Sequence, residues 1–152
     1  MMGFLLLLCS MQLAFAEEIS TFQFWAKRQT TPTVQPAPAE AYRFTGQFFG
    51  SLGELMAERP GVVQPEVIGK TTQGRPIWAF HVQKPASTPK RKVLIFGGIH
   101  ALEWISTEVA TDTLLWLIKN PPEDAMVTVI PLLNPDGRAK VERDLLEGKN
   151  SY

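Results

Sequence analysis

The 152-residue sequence holds one cysteine and two histidines, and it carries no net charge, with 15 Lys plus Arg against 15 Asp plus Glu. The lone Cys9 excludes an intramolecular disulfide framework. The charge balance excludes the basic field of a nucleic-acid binder. No apolar run reaches the about 20 residues that a spanning helix requires, so no stable membrane span is expected. The scarcity of histidine also narrows the chemistry, because any imidazole-based site must use His81 or His100.

What is present suits one globular domain: 45% of residues are hydrophobic and 20% charged. The first sixteen residues read as an export signal. Phe4 to Leu8 forms a short apolar core, Ala14-Phe15-Ala16 has the small-x-small pattern of a cleavage site, and Glu17-Glu18 follows. The expected destination is secreted or periplasmic. The n-region departs from the pattern in having no Lys or Arg. Residues 17–41 carry Thr30, Thr31, Pro32, Thr33, Pro36 and Pro38 with little apolar periodicity, and are expected to be an extended linker rather than a packed element. Within them Phe22, Phe24 and Trp25 either dock locally or are leftover apolar surface. The folded domain is expected to span residues 42–152.

Phe44, Phe48, Leu52, Leu55 and Met56 recur at helical spacing until Pro60-Gly61. Val63 to Lys70, the turn Thr71-Thr72-Gln73-Gly74 and Pro76 to Gln83 read as a hairpin. Lys92 to Phe96 is a continuous apolar run, expected to be a buried central strand. Trp104 to Lys119 predicts a helix whose Ile105, Val109, Thr113, Leu114, Leu117 and Ile118 share a face, ended by Pro121-Pro122. Val127 to Leu133 predicts a further strand, closed by the turn signal Asn134-Pro135-Asp136-Gly137. Strand, helix and strand with short loops form a crossover, so these two strands should be parallel. The fold class is α/β, a mixed sheet flanked by helices. Ligands in such sheets bind beyond the carboxyl ends of strands, where His100 and Asn134 fall.

The segment Lys92 to Ser106 says most about chemistry. An apolar strand runs into Gly97-Gly98 and stops at His100, and Glu103 follows three residues later. Glycine lets the backbone bend there and keeps side chains away from a substrate. An imidazole and a carboxylate that leave one turn together suit zinc, which takes both at about 2.0–2.2 Å and uses three protein ligands plus water in catalytic sites. His100 and Glu103 are therefore the candidate metal ligands. An H-x-x-E match among eleven glutamates is weak by itself, and Glu103 equally suits the first turn of a helix, where the dipole favours an acid.

Four ordered segments add specificity. His100-Ala-Leu-Glu103-Trp104-Ile105 resembles the zinc-binding segment of the carboxypeptidase A-like metallocarboxypeptidases. Ile68 to Ile77 resembles the hairpin of that family, Phe96 to His100 its strand into the metal site, and Leu133 to Gly137 its Asn-Pro-Asp-Gly segment. The resemblance covers Tyr42 to Gly137.

The resemblance implies the carboxypeptidase-like fold and hydrolysis of C-terminal peptide bonds. One Zn2+ per complete domain would polarise the scissile carbonyl and acidify its bound water, with peptide or protein C-termini as substrates. It also implies that the third ligand, a histidine, the general-base glutamate and the substrate-binding arginines lie beyond Tyr152. The 152 residues then form the first third or so of a catalytic domain and contain no catalytic residue. Leu102 stands where many members have arginine, which leaves substrate choice open. An amidohydrolase on the same fold, acting on cell-wall peptides or N-acyl amino acids, and a non-catalytic truncated product are the alternatives.

Other residues read more plainly. His81 alternates with Ala79 and Ile77 and suits a surface or core-edge position rather than a ligand. Arg75 follows a turn glycine, where it could bind substrate, but the family resemblance implies a structurally paired hairpin residue. Asp136 reads as a turn-forming side chain or as a carboxylate that orients His100. Trp78, Trp104 and Trp116 read as core, and the charges after Gly137 as solvated surface.

Overall fold

The computed structural model describes residues 17–26 and 42–149. The proposed export signal lies outside the described residues. Residues 17–26 are helical (α1). There follow α2 (Thr45–Glu58), β1 (Val63–Lys70), β2 (Pro76–Val82), β3 (Arg91–Phe96), α3 (Trp104–Lys119), β4 (Ala125–Ile130) and α4 (Pro135–Leu146). One four-stranded sheet has the order β1-β2-β4-β3. β1 and β2 form the expected antiparallel hairpin, with a register shift between Val67 and Gly69. β3 and β4 are parallel, as the crossover requires, and β2 joins β4 antiparallel. The fold class read from the sequence, a mixed sheet flanked by helices, is the one observed.

Alternation along the strands builds one apolar face. Trp78, Phe80 and Val82 of β2 lie beside Val127 and Val129 of β4. Against them pack Phe48, Phe49, Leu52 and Met56 of α2 and Ala110, Leu114, Leu117 and Ile118 of α3. Burying each large side chain contributes about 1.5–3 kcal/mol, so this layer dominates stability. Among the described residues no helix is long and apolar enough to cross a membrane.

Several expectations are corrected. Residues 17–26 do not begin an extended linker. Phe22 and Ala26, one turn apart, are both buried. The Phe22 ring meets Phe49, Trp78 and Phe80 edge-on at centroid distances of 5.7, 5.2 and 5.1 Å. Such pairs prefer this geometry, and the aromatic cluster is what holds the helix.

β3 is not a central strand but a sheet edge. Its Val93, Leu94 and Phe96 stay about half exposed, because no described element lies beyond it. α3 buries only part of the expected stripe: Leu114, Leu117 and Ile118 are core, whereas Ile105 and Val109 are exposed. Trp116 is exposed too, while Trp78 and Trp104 are buried as expected.

β4 stops at Ile130, before Pro131, which has no N–H for the ladder. Asn134-Pro135-Asp136-Gly137 is not a closing turn but the start of α4. Asn134 caps it and Pro135 takes the first helical position, where proline is favoured.

Candidate functional site

The site begins where β3 and β4 end side by side. Backbone pairing continues past the strands: Gly97 N–H donates to Ile130 C=O at 2.9 Å, Leu133 N–H to Gly97 C=O at 3.0 Å, and Asn134 N–H to Gly98 C=O at 2.9 Å. One chain then enters the His100 loop and the other the first turn of α4.

The glycine pair is dictated by packing as well as by bending. A Cβ on Gly97 would lie 2.4 Å from the Ser106 carbonyl oxygen. Gly98 has φ +65°, and a Cβ there would lie 2.7 Å from Thr107 Oγ1 and 2.8 Å from Leu132 Cδ1. The start of α3 thus rests directly on the strand end, which only glycine permits.

His100 and Glu103 sit on the loop between β3 and α3. Glu103 N–H donates to His100 C=O at 3.1 Å, so a tight turn joins them. Both side chains are exposed. Among the described residues neither makes a side-chain hydrogen bond or an ion pair. Glu103 immediately precedes α3 and its carboxylate makes no cap bond. A helix-capping duty therefore does not account for it.

Two outside side chains grip this loop. Asn134 Nδ2 donates to Ile99 C=O at 3.1 Å, while its Oδ1 accepts from Gly137 N–H at 2.9 Å. Ser106 Oγ accepts from Gly98 N–H at 3.1 Å and donates to Glu103 C=O at 2.9 Å. A Cβ on Gly137 would lie 2.8 Å from Ala101 Cβ, so α4 abuts the loop as well. Neither Asn134 nor Ser106 was singled out as a loop-holding residue from sequence. The cap-and-proline pattern of Asn134-Pro135 was the available signal for the first.

The remaining candidates fall away from the loop. Both ring nitrogens of His81 are occupied, Nδ1 by Thr128 Oγ1 at 2.9 Å and Nε2 by Glu66 Oε2 at 2.8 Å. That fits the core-edge role expected of it.

Arg75 is paired, as expected, and its partner is Asp136 at 2.7 Å. Asp136 neither orients His100 nor closes a turn. It also accepts from Thr71 Oγ1, Thr72 Oγ1 and Gln73 N–H, tying α4 to the hairpin turn. Desolvation pushes its pKa up, but the hydrogen bonds from Thr71, Arg75, Gln73 and Thr72 outweigh that and hold it below the usual carboxylate value.

Arg138, read as solvated surface, is 1% exposed. Its guanidinium lies 3.5 Å from the Trp104 ring centroid and donates to Glu142 Oε1 and to Arg43 C=O. Burial lowers its pKa, and Glu142 partly offsets this.

Among the described residues no group of three metal-binding side chains assembles. The loop offers a nitrogen and an oxygen donor, both free, of the kinds that zinc accepts. Residues 50–151 match Peptidase_M14, the zinc carboxypeptidase family. The chain belongs to the zinc carboxypeptidase family.

Among curated zinc carboxypeptidase relatives, the inactive metallocarboxypeptidase ECM14 of Saccharomyces cerevisiae is 36% identical over 110 residues, 64% of this chain and 26% of that protein. Carboxypeptidase O of Bos taurus is 26% identical over 105 residues, 63% of this chain and 28% of that protein. The chain thus spans between a quarter and a third of these relatives. The solved carboxypeptidase A of Helicoverpa armigera superposes with a TM-score of 0.56 at 21% identity, covering 83% of this chain and 32% of that one. That likeness establishes the zinc carboxypeptidase fold and no more.

Proposed function

We propose that His100 and Glu103 are two ligands of a catalytic Zn2+ in a peptidase that removes C-terminal residues from peptides. The observation that carries this is the pair of free donors at the carboxyl end of β3, inside the region that matches the family. Zinc, when bound, supplies a Lewis acid for the scissile carbonyl and an acidified water.

The chain's own residues do the holding. His100 offers an imidazole nitrogen and Glu103 a carboxylate, on a turn closed by their own backbone bond. The glycine pair lets the start of α3 rest on the strand end, which sets this turn at the carboxyl end of β3. His100 and Glu103 supply two of the three protein ligands that a catalytic zinc takes. Two ligands alone should hold zinc loosely. The proposed setting is outside the cytoplasm, from the signal-like residues 1–16.

Zinc binding to the 152-residue chain is the direct measurement. A tight one-to-one complex abolished by His100→Ala would contradict the two-ligand reading. For a protein that carries the remaining groups, peptides with a free C-terminal carboxylate should be cleaved and amidated ones spared. Equal cleavage of both points to the amidohydrolase alternative.

A specific observation favours a second reading, a non-catalytic member of the family. The relative that is 36% identical is named inactive. Zinc uptake by the extended protein without hydrolysis of any peptide tested selects that reading.

A further inference from the structure

We infer that Asn134 and Ser106 are positioning residues for the metal-binding turn, a clamp that sets where His100 and Glu103 stand. This rests on the metal-site reading above. The turn lacks side-chain support of its own, since neither His100 nor Glu103 is held by a partner among the described residues. Its fixed points are backbone groups gripped from outside. Asn134 holds the Ile99 carbonyl, one residue before His100. Ser106 holds the Gly98 amide on the strand side and the Glu103 carbonyl on the helix side with one hydroxyl. The clamp therefore spans both ends of the turn.

The two side chains come from different elements. Asn134 is the cap of α4 and is itself fixed by the Gly137 N–H, while Ser106 lies in the first turn of α3. Gly97-Gly98 and Gly137 bring these elements to contact distance. A metal site needs its ligands held to a fraction of an ångström, and residues that orient ligands typically change affinity by about 10–100-fold when lost.

The two side chains can be separated by conservative changes. Asn134→Asp keeps the oxygen that caps Gly137 but replaces the donor to Ile99 by an acceptor. Ser106→Ala removes the hydroxyl, and Ser106→Thr restores it.

The experiment is a Zn2+ titration of the 152-residue chain in dilute solution, followed by imidazole NMR signals. There are only two histidines, so His81 serves as internal reference for His100. The clamp predicts that His100 responds to Zn2+ and that Asn134→Asp and Ser106→Ala each weaken the response roughly tenfold or more. Ser106→Thr should return it to the wild-type value. Variants that titrate like the wild type overturn the proposal. So does a weakened response that Ser106→Thr fails to rescue.

A wild-type chain with no His100 response defeats the metal reading instead. The clamp is then judged on the metal-free backbone amides. Shifts confined to residues 98–103 in both variants uphold it, and unchanged amides there overturn it.

Discussion

Asp136 and Arg75 stand 61 positions apart in the chain and meet at 2.7 Å, joining the first turn of α4 to the β1–β2 hairpin. Three further donors from the hairpin turn converge on the same carboxylate. This one side chain ties the start of α4 to the hairpin turn.

The Asp136 pKa is lower when folded than when unfolded. Its contribution to stability is therefore present above the ordinary carboxylate pKa of about 3.9 and is lost as pH falls through the folded value. Asp136→Asn should lower the urea midpoint at neutral pH, and the gap to wild type should close as pH drops below about 4. A gap that stays constant across that range removes the role assigned to the charge.

Arg138 and Glu142 are a second test. Glu142 Oε1 also accepts from Thr45 N–H and Thr45 Oγ1, at 2.7 and 2.8 Å, so the pair stitches α4 to the start of α2. Breaking a buried ion pair from one side typically costs about 3–5 kcal/mol. Arg138→Met should lose that much in chemical denaturation, and adding Glu142→Gln should recover part of it. A loss under about 1 kcal/mol for the single variant would mean that the buried charge is not needed.

Glycine substitutions separate packing from flexibility. Gly97→Ala and Gly98→Ala must displace backbone or a buried side chain, and overpacking of this kind costs about 1–3 kcal/mol. Gly50→Ala, in α2 with nothing within 4 Å of its new methyl, should instead stabilise by about 0.4–1 kcal/mol. Thermal unfolding distinguishes them, and equal effects at all three positions would refute the packing argument.

The two sheet edges predict solution behaviour. β1 carries Pro65, Glu66 and a register shift, features that blunt an edge. β3 presents Val93, Leu94 and Phe96 half exposed, with charge only at its start. Such an edge pairs with other chains. The 152-residue chain should associate as concentration rises, and Leu94→Lys should suppress this in sedimentation experiments. A monomer at all concentrations, or association unaffected by Leu94→Lys, contradicts it.

Much of the scaffold was legible because it is local. Alternation marked β2, the Thr71–Gly74 segment marked the hairpin, and a short crossover dictated that β3 and β4 run parallel. The candidate site was legible as Gly97-Gly98 followed by His100 and Glu103, since these residues are close in sequence. What failed had a common cause. An apolar run such as Val93 to Phe96 announces hydrophobicity but not how many neighbours cover it. Ile105 and Val109 fitted an apolar helical stripe as well as Leu114 and Ile118 did, and only the sheet's position chose between them. Asn134 to Gly137 suits a turn and a helix start equally, and the helix won because Asn134 and Pro135 satisfy its first turn.

The order of elements from α2 to β4, the bend at the glycine pair and the adjacency of His100 to Glu103 belong to the sequence alone, because each arises from neighbours a few residues apart. The burial of Phe22 and Arg138, the exposure of β3, the pairing of Asp136 with Arg75 and the grip of Asn134 on the ligand turn were decided only in three dimensions. Those contacts depend on which distant surfaces meet, and local periodicity carries no record of a partner 30 to 100 residues away.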